Sequence, residues 1–245
     1  MGLGSKLLSY PTHHRSMFLP TSLTTDPSEL TTVQVVGRTQ YNAAASLSPQ
    51  SVNSDPLEQF KAWFTEASSE SSPVPEPESM ALSTCTPNGV PSSRQVLLKQ
   101  VDAKGFVFYT NYTSRKSLEL SANPNCALVF YWREAHRSVR VVGRAERVSK
   151  EETEAYFRSR PRESQLGAWA SKQSSVVGEG EVTARLEELK ARFEGKEVEV
   201  PDFWGGWRVL PSEVEFWSGK PSRLHDRVRY LRKDGGEWNV ERLAP

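Results

Sequence analysis

The feature that most constrains this fold is a series of short, β-rich segments between residues 80 and 148. Five segments are rich in β-branched or aromatic side chains, and turn-forming residues such as Pro87-Asn88-Gly89 separate them. The segments are Met80 to Cys85, Gln95 to Val101, Phe106 to Thr110, Cys126 to Trp132 and Val139 to Val148. Strands this short and this closely spaced predict an antiparallel sheet or barrel.

Helical patterns precede and interrupt the predicted sheet, so the predicted fold class is mainly β with helices (α+β). Asp55 is suited to cap a helix that continues through Leu57, Phe60 and Phe64. Further helices are predicted after Thr113-Ser114, after the capping box Ser149-x-x-Glu152, and from Glu181 to Phe193. The chain returns to predicted strands at Val214 to Trp217, Val228 to Leu231 and Trp238 to Leu243.

The first 53 residues predict a flexible N-terminal extension, because they are rich in Ser, Thr and Pro and show no sustained period. Residues 54–245 then form one domain, with residues 68–79 as an exposed, acidic Ser/Pro linker within it. No acidic residue precedes Asp26 in the sequence. A stretch without acidic residues occurs both in transit peptides and in segments that are simply disordered. Because arginine is scarce there, we expect a cytoplasmic protein and leave mitochondrial targeting as the alternative.

Charge and composition exclude several classes of protein. The net charge of +1 divides into −4 for residues 1–79 and +5 for residues 80–245, too weak a basic excess for a duplex-binding protein. No uncharged apolar run approaches the ~18 residues that a membrane-spanning helix needs. Two cysteines and four scattered histidines predict neither a disulfide framework nor a metal site.

Cationic residues recur beside the predicted strands and helix starts, where guanidinium groups and helix-terminal donors suit phosphate oxygens. They are Arg94, Lys99, Arg115, Lys116, Arg158, Arg160, Arg162, Arg223, His225 and Arg227. Each one alone is more often part of a solvated face than of a binding site. The patterns G-x-x-x-x-G-K-[ST] and G-x-G-x-x-G are absent, so a nucleotide-binding loop is not predicted.

Eight longer motifs follow one another in order, within a stretch that runs from about Asp55 to the last residue. They are RQVLLK (94–99), FYTNYTSRK (108–116), YFRSRPRESQ (156–165), GAWASKQSS (167–175), FWGG (203–206), EFWSG (215–219), RLHDR (223–227) and ERLAP (241–245). Together they resemble the pyridoxine (pyridoxamine) 5′-phosphate oxidase family. The resemblance implies an FMN-binding split β-barrel that forms a homodimer, with two FMN sites at the subunit interface. It also implies oxidation of pyridoxine 5′-phosphate or pyridoxamine 5′-phosphate to pyridoxal 5′-phosphate, with O2 reduced to H2O2.

The resemblance also implies which residues form the site. The family's flavin contacts fall on Arg94, Gln95, Val96, Leu97, Tyr109, Thr110, Arg115, Lys116, Gln173, Ser174, Trp217 and Arg227. Its substrate contacts fall on Lys99, Tyr156, Arg160, Ser164, Arg223 and His225. Arg223 and His225 would be the catalytic pair that holds the substrate ring over the flavin. Arg227 would favour the electron density that builds up on the flavin during reduction.

Two features differ from the family pattern. The family's Gln before the Val-x-Val strand is Ser138 here, and one hydroxyl replaces an amide, so a flavin contact is lost or bridged by water. Arg38 and Tyr41 have the spacing of an Arg-x-x-Tyr element that closes over substrate in the family, in dissimilar surroundings. Ser138 stays a candidate flavin contact, and Arg38 and Tyr41 stay candidate substrate contacts.

Two functions outside this activity remain as alternatives. A non-catalytic flavin-binding or pyridoxal-phosphate-binding protein on the same barrel could lose Arg223 and His225, and both are present. A single-stranded nucleic-acid module could use the seven tryptophans and the basic region, but the motifs RLHDR and SKQSS have no place in it. The resemblance implies the two phosphorylated substrates, O2 and a second copy of the chain as partners, and neither nucleic acid nor a membrane nor a metal is predicted.

Overall fold

A computed structural model describes residues 40–43 and 46–245. Residues 41–245 form one compact unit. Arg38 and most of the predicted N-terminal extension lie outside the described residues.

Within the described residues, nine antiparallel strands form one sheet; seven follow the order β2-β1-β5-β6-β7-β4-β3, and β7 also pairs with β8, which pairs with β9. The strands are β1 (Ser79–Cys85), β2 (Pro91–Leu97), β3 (Gln100–Val101), β4 (Phe106–Asn111), β5 (Asn125–Trp132), β6 (Arg137–Arg147), β7 (Trp204–Ser218), β8 (Asp226–Arg232) and β9 (Trp238–Arg242). The Lys99 backbone N–H donates to the Val107 carbonyl at 2.8 Å, which brings the end of β2 next to β4. The two ends of the sheet therefore meet, as in a barrel.

In residues 40–43 and 46–245, five α-helices accompany the sheet. They are α1 (Pro56–Ala67), α2 (Arg115–Ala122), α3 (Lys150–Ser159), α4 (Arg162–Ala170) and α5 (Glu181–Arg192). The predicted caps are confirmed, because Asp55 Oδ1 accepts from Leu57 N at 2.9 Å and Ser149 Oγ accepts from Glu152 N at 3.1 Å. None of the helices in the part of the chain that the structure describes is long and apolar enough to cross a bilayer.

Three elements differ from the sequence-based expectation. The segment predicted as one strand from Gln95 to Val101 is divided between β2 and β3. β7 is 15 residues long, although only its end was predicted, because glycines and Pro211 are poor strand formers. A register shift between Val142 and Gly143 of β6 lies opposite Pro211 and accommodates it. Helix α4 was not predicted, since it starts only three residues after α3 ends.

The main core fills the barrel and is sealed by α1. The Phe60 ring lies 4.9 Å from that of Phe106 and 4.8 Å from that of Phe130, and all three side chains are fully buried. A second, smaller cluster joins α3, α4 and α5 to the start of β7 through Phe157, Leu166, Phe193 and Trp204. This second cluster holds the α3–α4 region against the barrel.

Residues before α1 and after it also pack on the barrel. Leu47 is buried in the main core, and the Tyr230 hydroxyl donates to the Asn53 carbonyl at 2.6 Å, although the folded domain was predicted to start at residue 54. Within the predicted linker of residues 68–79, Val74 is buried in the core and the Pro77 carbonyl accepts from Trp132 Nε1. Residues 68–71 and 76 are exposed, as are Pro73 and Pro75, so only part of that linker has the predicted exposure.

Candidate active site

Lys116 is a buried cation in the first turn of α2, and its recorded hydrogen bonds within residues 40–43 and 46–245 all go to neutral oxygens. Its Nζ donates to Gln173 Oε1 at 2.6 Å, to Thr110 Oγ1 at 3.3 Å and to Ser114 Oγ at 3.5 Å. Burial, together with the nearby charge of Arg94, lowers the pKa of Lys116 to about 8. A buried cation without a carboxylate beside it is the arrangement expected of an anion site.

Two arginines close to this lysine share one buried carboxylate, that of Glu119. Arg115 Nε donates to Glu119 Oε1 at 2.9 Å, and Arg94 Nη2 lies 3.5 Å from Glu119 Oε2. Burial raises the pKa of Glu119, but hydrogen bonds from Ser92 and other donors, with the charge of Arg115, lower it to about 2. We call Arg94, Arg115, Lys116 and Glu119 the α2 cluster. With three cations and one ionised carboxylate, its net charge is +2.

An open cavity of 730 Å³ lies beside the α2 cluster. Arg115 lines it on one side, and Gln173 and Ser174 from the loop after α4 line it on another, with Trp169 and Phe203 as apolar walls. This volume falls within the range of roughly 300–1,000 Å³ that is usual for cofactor sites. The structure thus brings six of the predicted flavin contacts to one place, namely Arg94, Thr110, Arg115, Lys116, Gln173 and Ser174.

The predicted flavin contacts on β2 do not all face one way. Gln95 and Leu97 are exposed, whereas Arg94 and Val96 are half-buried, because successive side chains of a strand point to opposite faces. One ligand therefore cannot contact all four side chains from one face. Backbone groups of this strand would have to supply part of the predicted contact.

Tyr156 and Arg160 lie at the end of α3, next to Tyr109 of β4. The rings of Tyr109 and Tyr156 stack with centroids 3.9 Å apart and 17° between their planes. Arg160 Nη1 is buried and has no hydrogen-bond partner, and no other side-chain nitrogen or oxygen of the described residues is in that position. An unpaired buried donor costs free energy, so this atom indicates a place where a ligand accepts a hydrogen bond.

Lys99 and Ser164 are the other two residues predicted to bind the substrate phosphate. Lys99 is exposed between β2 and β3, and its backbone bond to Val107 places it beside β4, the strand of Tyr109. Ser164 lies in the first turn of α4, four residues after Arg160, and is half-buried. The predicted phosphate contacts therefore come from two places in the fold, the α3–α4 turn and the link between β2 and β4.

Tyr41 packs against the predicted catalytic histidine. Its ring meets that of Trp217 edge-on at 5.1 Å and that of His225 at 5.7 Å, and its hydroxyl is 2.9 Å from the Tyr131 hydroxyl. Gly219 makes room for it, since a Cβ at that position would lie 2.5 Å from the Tyr41 Cβ. Of the two Arg-x-x-Tyr residues, Tyr41 thus lies beside the predicted catalytic His225, and Arg38 lies outside the described residues.

A second cavity, of 350 Å³, is lined by Tyr41, Ser138, Trp217 and Arg227 among others. The Ser138 hydroxyl donates to the Phe130 carbonyl at 2.9 Å, within the β5–β6 pair. Its hydrogen is therefore used inside the sheet, and only its acceptor capacity is left for a ligand.

Arg227 is fixed by two bonds beside this second cavity. Its Nε donates to the buried carboxylate of Glu215 at 2.7 Å, and its Nη1 donates to the Ala244 carbonyl at 2.8 Å. The C-terminal motif ERLAP therefore holds an arginine that was predicted to face the flavin.

Strained backbone marks the same regions. Four residues other than glycine have positive φ within the described chain, namely His136 (53°), Ser174 (73°), Ser222 (56°) and Arg223 (63°). Ser174 and Arg223 are predicted site residues, Ser222 precedes Arg223, and His136 packs edge-on against Tyr41 at 5.5 Å. Such conformations cost of order 1–3 kcal/mol each and cluster at functional sites. Arg223 itself is exposed in a short turn before β8.

Three residues of the site were not found from the sequence. Glu119 follows Arg115 at the i,i+4 spacing of a helical ion pair, a signal that could have found it. Trp204 is part of the FWGG motif, to which no role was given. For Tyr131 the sequence carries no signal beyond an aromatic residue on a strand.

Comparison with known proteins decides the family. A family model described as pyridoxamine 5′-phosphate oxidase matches residues 64–191, and one described as pyridoxine 5′-phosphate oxidase C-terminal dimerisation region matches residues 204–245. The chain belongs to the pyridoxamine 5′-phosphate oxidase family. The resemblance inferred from the motifs is confirmed, and the family's dimerisation region supports the predicted homodimer.

Curated relatives of this oxidase family match over nearly their whole length. The protein named pyridoxine/pyridoxamine 5′-phosphate oxidase in Rubrobacter xylanophilus is 52% identical over 209 residues, which cover 85% of this chain and 94% of that protein. The protein of the same name in Salinibacter ruber is 51% identical over 210 residues, which cover 84% and 96%. These relatives support a flavin-dependent oxidoreductase.

Solved structures confirm the fold. PhzG from Burkholderia lata, crystallised with tetrahydrophenazine-1-carboxylic acid, has 31% identity and a TM-score of 0.77, covering 83% of this chain and 100% of its own. A pyridoxamine 5′-phosphate oxidase-related, FMN-binding protein from Nostoc punctiforme has 17% identity and a TM-score of 0.63, covering 78% and 98%. The split-barrel fold class predicted from the sequence is therefore correct, and the roles of the individual site residues stay predictions.

Proposed function

We propose that this protein is an FMN-dependent oxidase that converts pyridoxine 5′-phosphate or pyridoxamine 5′-phosphate to pyridoxal 5′-phosphate. Oxidation of the alcohol consumes O2 and releases H2O2. Oxidation of the amine consumes O2 and water and releases H2O2 and ammonia. The enzyme would serve vitamin B6 salvage and pyridoxal phosphate biosynthesis.

The observation that carries this proposal is a pair of cations, on either side of β4, with no recorded carboxylate partner in the described part of the chain. Lys116 bonds to Thr110, and Arg160 belongs to the helix end whose Tyr156 stacks on Tyr109. Tyr109 and Thr110 are consecutive residues of β4, so their side chains point to opposite faces. The proposed reaction needs two phosphate sites, one for FMN and one for the substrate, and the two faces supply them.

The α2 cluster fits the FMN phosphate. Its net charge of +2 matches a phosphate monoester of about −1.5 to −2. Arg115 and Lys116 also lie in the first turn of α2, where backbone N–H groups favour anions. When bound, FMN supplies the two-electron oxidation and passes the electrons to O2.

The second cavity is suited to hold the substrate ring against the flavin. His225 Nδ1 accepts from the Lys220 backbone N–H at 3.1 Å, so a neutral His225 carries its proton on Nε2. That N–H is suited to donate to the oxygen of the substrate ring. Arg223 would hold the ring from the exposed turn, Tyr41 would cover it, and Arg227 would stabilise negative charge on the flavin.

The separation of the two regions supports a site shared between subunits. Gly205 pairs with Thr110 near the α2 cluster, and Trp217 stands twelve residues further along β7. At about 3.3 Å per residue, this is up to roughly 40 Å of strand. We propose that each FMN is bound by the α2 cluster of one subunit and by the Trp217 region of the other.

The experiment is to purify the protein and to measure its flavin and its peroxide production. We expect a yellow protein that releases FMN on denaturation and forms H2O2 and pyridoxal 5′-phosphate in equal amounts from either substrate. A colourless protein that FMN does not reconstitute would defeat the proposal, and so would a reconstituted protein that forms no peroxide.

Arg223→Ala tests the catalytic pair. Because Arg223 is exposed and makes no predicted contact to the flavin phosphate, we expect the FMN content to stay unchanged while turnover falls by about a hundredfold or more. Unchanged steady-state kinetics would remove Arg223 from the site. Loss of FMN together with turnover would point to a structural role.

The alternative of a non-catalytic binding protein predicts bound FMN or pyridoxal phosphate without peroxide. A second alternative arises from PhzG, whose crystal structure holds tetrahydrophenazine-1-carboxylic acid. A substrate without a phosphate group would leave Arg160 Nη1 unpaired, so the phosphate requirement of turnover separates this alternative from our proposal. The predicted cytoplasmic location is tested by fusing residues 1–53 to a fluorescent reporter, and a mitochondrial signal would contradict it.

A further inference from the structure

The FWGG motif places a set of parallel aromatic rings beside Arg160. Trp204 lies parallel to Tyr109 within 15° at 5.5 Å and parallel to Tyr156 within 6° at 6.3 Å. The Arg160 guanidinium carbon stands 4.7 Å from the Trp204 ring centroid. Trp204 is itself buried, so the ring is fixed by its surroundings and cannot follow the arginine.

A glycine of the same motif makes this packing possible. Gly206 pairs with Tyr109 across β4 and β7, and a Cβ at position 206 would lie 2.8 Å from the Tyr109 ring. Any larger residue would push Tyr109 away from the strand and disturb its stack on Tyr156. The motif therefore contributes both a ring and the space for the neighbouring ring.

Stacking holds an arginine differently from a carboxylate. An aromatic face interacts with the flat side of the guanidinium group, and the N–H donors lie in the guanidinium plane and stay free. This agrees with the state of Arg160, whose buried Nη1 has no partner. A carboxylate in place of the ring would fix the arginine too, but it would occupy the donors and neutralise the charge that a phosphate needs.

We propose that Trp204 is a positioning residue for the substrate phosphate. Its indole face fixes the plane of Arg160 and leaves the in-plane donors of that guanidinium group for phosphate oxygens. This inference rests on the proposed function, because the phosphate in question is that of the substrate. Trp204 would then help the enzyme to discriminate phosphorylated from unphosphorylated substrate. This role does not require a contact between Trp204 and the phosphate.

The test compares Trp204→Leu and Trp204→Phe in the FMN-loaded enzyme. Phenylalanine keeps an aromatic face, whereas leucine removes it. Phe193→Leu is the matched control, because Phe193 is buried in the same cluster and is no part of the proposed site. For each variant we measure KM and kcat with pyridoxine 5′-phosphate and with pyridoxine, the affinity for pyridoxal 5′-phosphate and for pyridoxal, and the Tm.

We expect Trp204→Leu to weaken binding of the phosphorylated ligands about tenfold, as for loss of a desolvated cation–π contact, with little change for the unphosphorylated ones. The kcat at saturation should change much less than KM. Trp204→Phe should restore most of the phosphate preference, and Phe193→Leu should lower the Tm while keeping that preference.

Equal weakening of phosphorylated and unphosphorylated ligands in Trp204→Leu would overturn the inference, as would a preserved phosphate preference. The binding measurements keep this test separate from the proposed function. If the wild-type protein forms no peroxide but prefers pyridoxal 5′-phosphate to pyridoxal, and Trp204→Leu abolishes the preference, the positioning role stands while the oxidase proposal fails. A wild-type protein without any phosphate preference overturns the inference.

Discussion

The two proposed phosphate sites hold their arginines by opposite means. In the α2 cluster, Arg94 and Arg115 are tied to the ionised carboxylate of Glu119. On the other side of β4, the Arg160 guanidinium group lies over the Trp204 ring, and its buried Nη1 has no hydrogen-bond partner. The first arrangement fixes its arginines with a carboxylate that offsets part of their charge, and the second leaves the charge of Arg160 without such an offset.

This difference suits the two ligands. FMN is a resident cofactor, so its site needs a stable scaffold even before the flavin binds, and a carboxylate inside the cluster limits repulsion between neighbouring cations. A substrate must enter and leave at every turnover, so its site benefits from one well-placed arginine with free donors. The comparison predicts different responses of the two sites to loss of charge.

The largest effect is expected from Arg160→Met, which removes the guanidinium group that carries the unpaired buried donor and keeps an unbranched side chain. Because loss of one partner of a buried charge pair costs about 2–5 kcal/mol, KM for pyridoxine 5′-phosphate should rise by about a hundredfold or more. Steady-state kinetics measure this, with unphosphorylated pyridoxine as the control substrate. An equal loss for both substrates would break the comparison, because Arg160 would then not act through the phosphate.

Lys116→Met should produce the next largest effect, in the other site. A hydrogen bond to a charged group is worth about 1.5–3 kcal/mol, so FMN should bind about 10- to 100-fold more weakly, while KM for substrate in the FMN-saturated enzyme stays unchanged. The apoprotein should become more stable at pH 7, because burial makes the charged form of Lys116 unfavourable. Flavin fluorescence titration and thermal unfolding measure both effects, and a less stable apoprotein with unchanged FMN affinity would contradict the anion site.

The pH dependence of FMN binding gives a smaller effect with a definite sign. The pKa of Lys116 is lowered to about 8 by burial and by Arg94 in the free protein, and a bound phosphate favours its protonated form. FMN affinity should therefore be nearly constant between pH 7 and about 8 and then fall by up to about tenfold per pH unit above it. Lys116→Arg is the matched control, since arginine stays charged and should give a flat profile over this window. A wild-type profile as flat as that of the variant would show that Lys116 does not bind the phosphate.

Strand alternation and helix caps, which are local features, predicted the sheet and its helices, and the resemblance of the motifs to a known family assigned the two sets of cations. The i,i+4 spacing of Arg115 and Glu119 is a signal in the sequence, but the contacts that hold Arg94 and Arg160 are not. The Arg94–Glu119 contact joins β2 to α2, and the Arg160–Trp204 contact joins the end of α3 to the start of β7, so both depend on tertiary packing. The start of β7 was itself missed, since its glycines have low strand propensity and are explained only by the rings that lie against them. The residue types in the sequence indicated where anions could bind. The tertiary packing determined how much net positive charge each anion site has.

Glu119→Gln gives the smallest expected effect and tests the internal counter-charge directly. Burial raises the pKa of Glu119, but hydrogen bonds from Ser92, Thr84 and Arg115 lower it to about 2, so the folded state favours the ionised form. The stabilisation is fully present above the unfolded pKa of 4.5 and is lost as the pH falls towards 2.

At pH 7 the Tm of Glu119→Gln should therefore be about 2–4 °C lower for each ~1 kcal/mol of stability lost, and the difference from wild type should shrink between pH 5 and pH 3. Thermal unfolding of the apoprotein across this pH range measures it, with Glu58→Gln as the control because Glu58 is exposed and pairs with Lys61 on the same helix. A pH-independent difference would mean that Glu119 stabilises the fold through packing and not through its charge, and the contrast between the two sites would then lie in stacking alone.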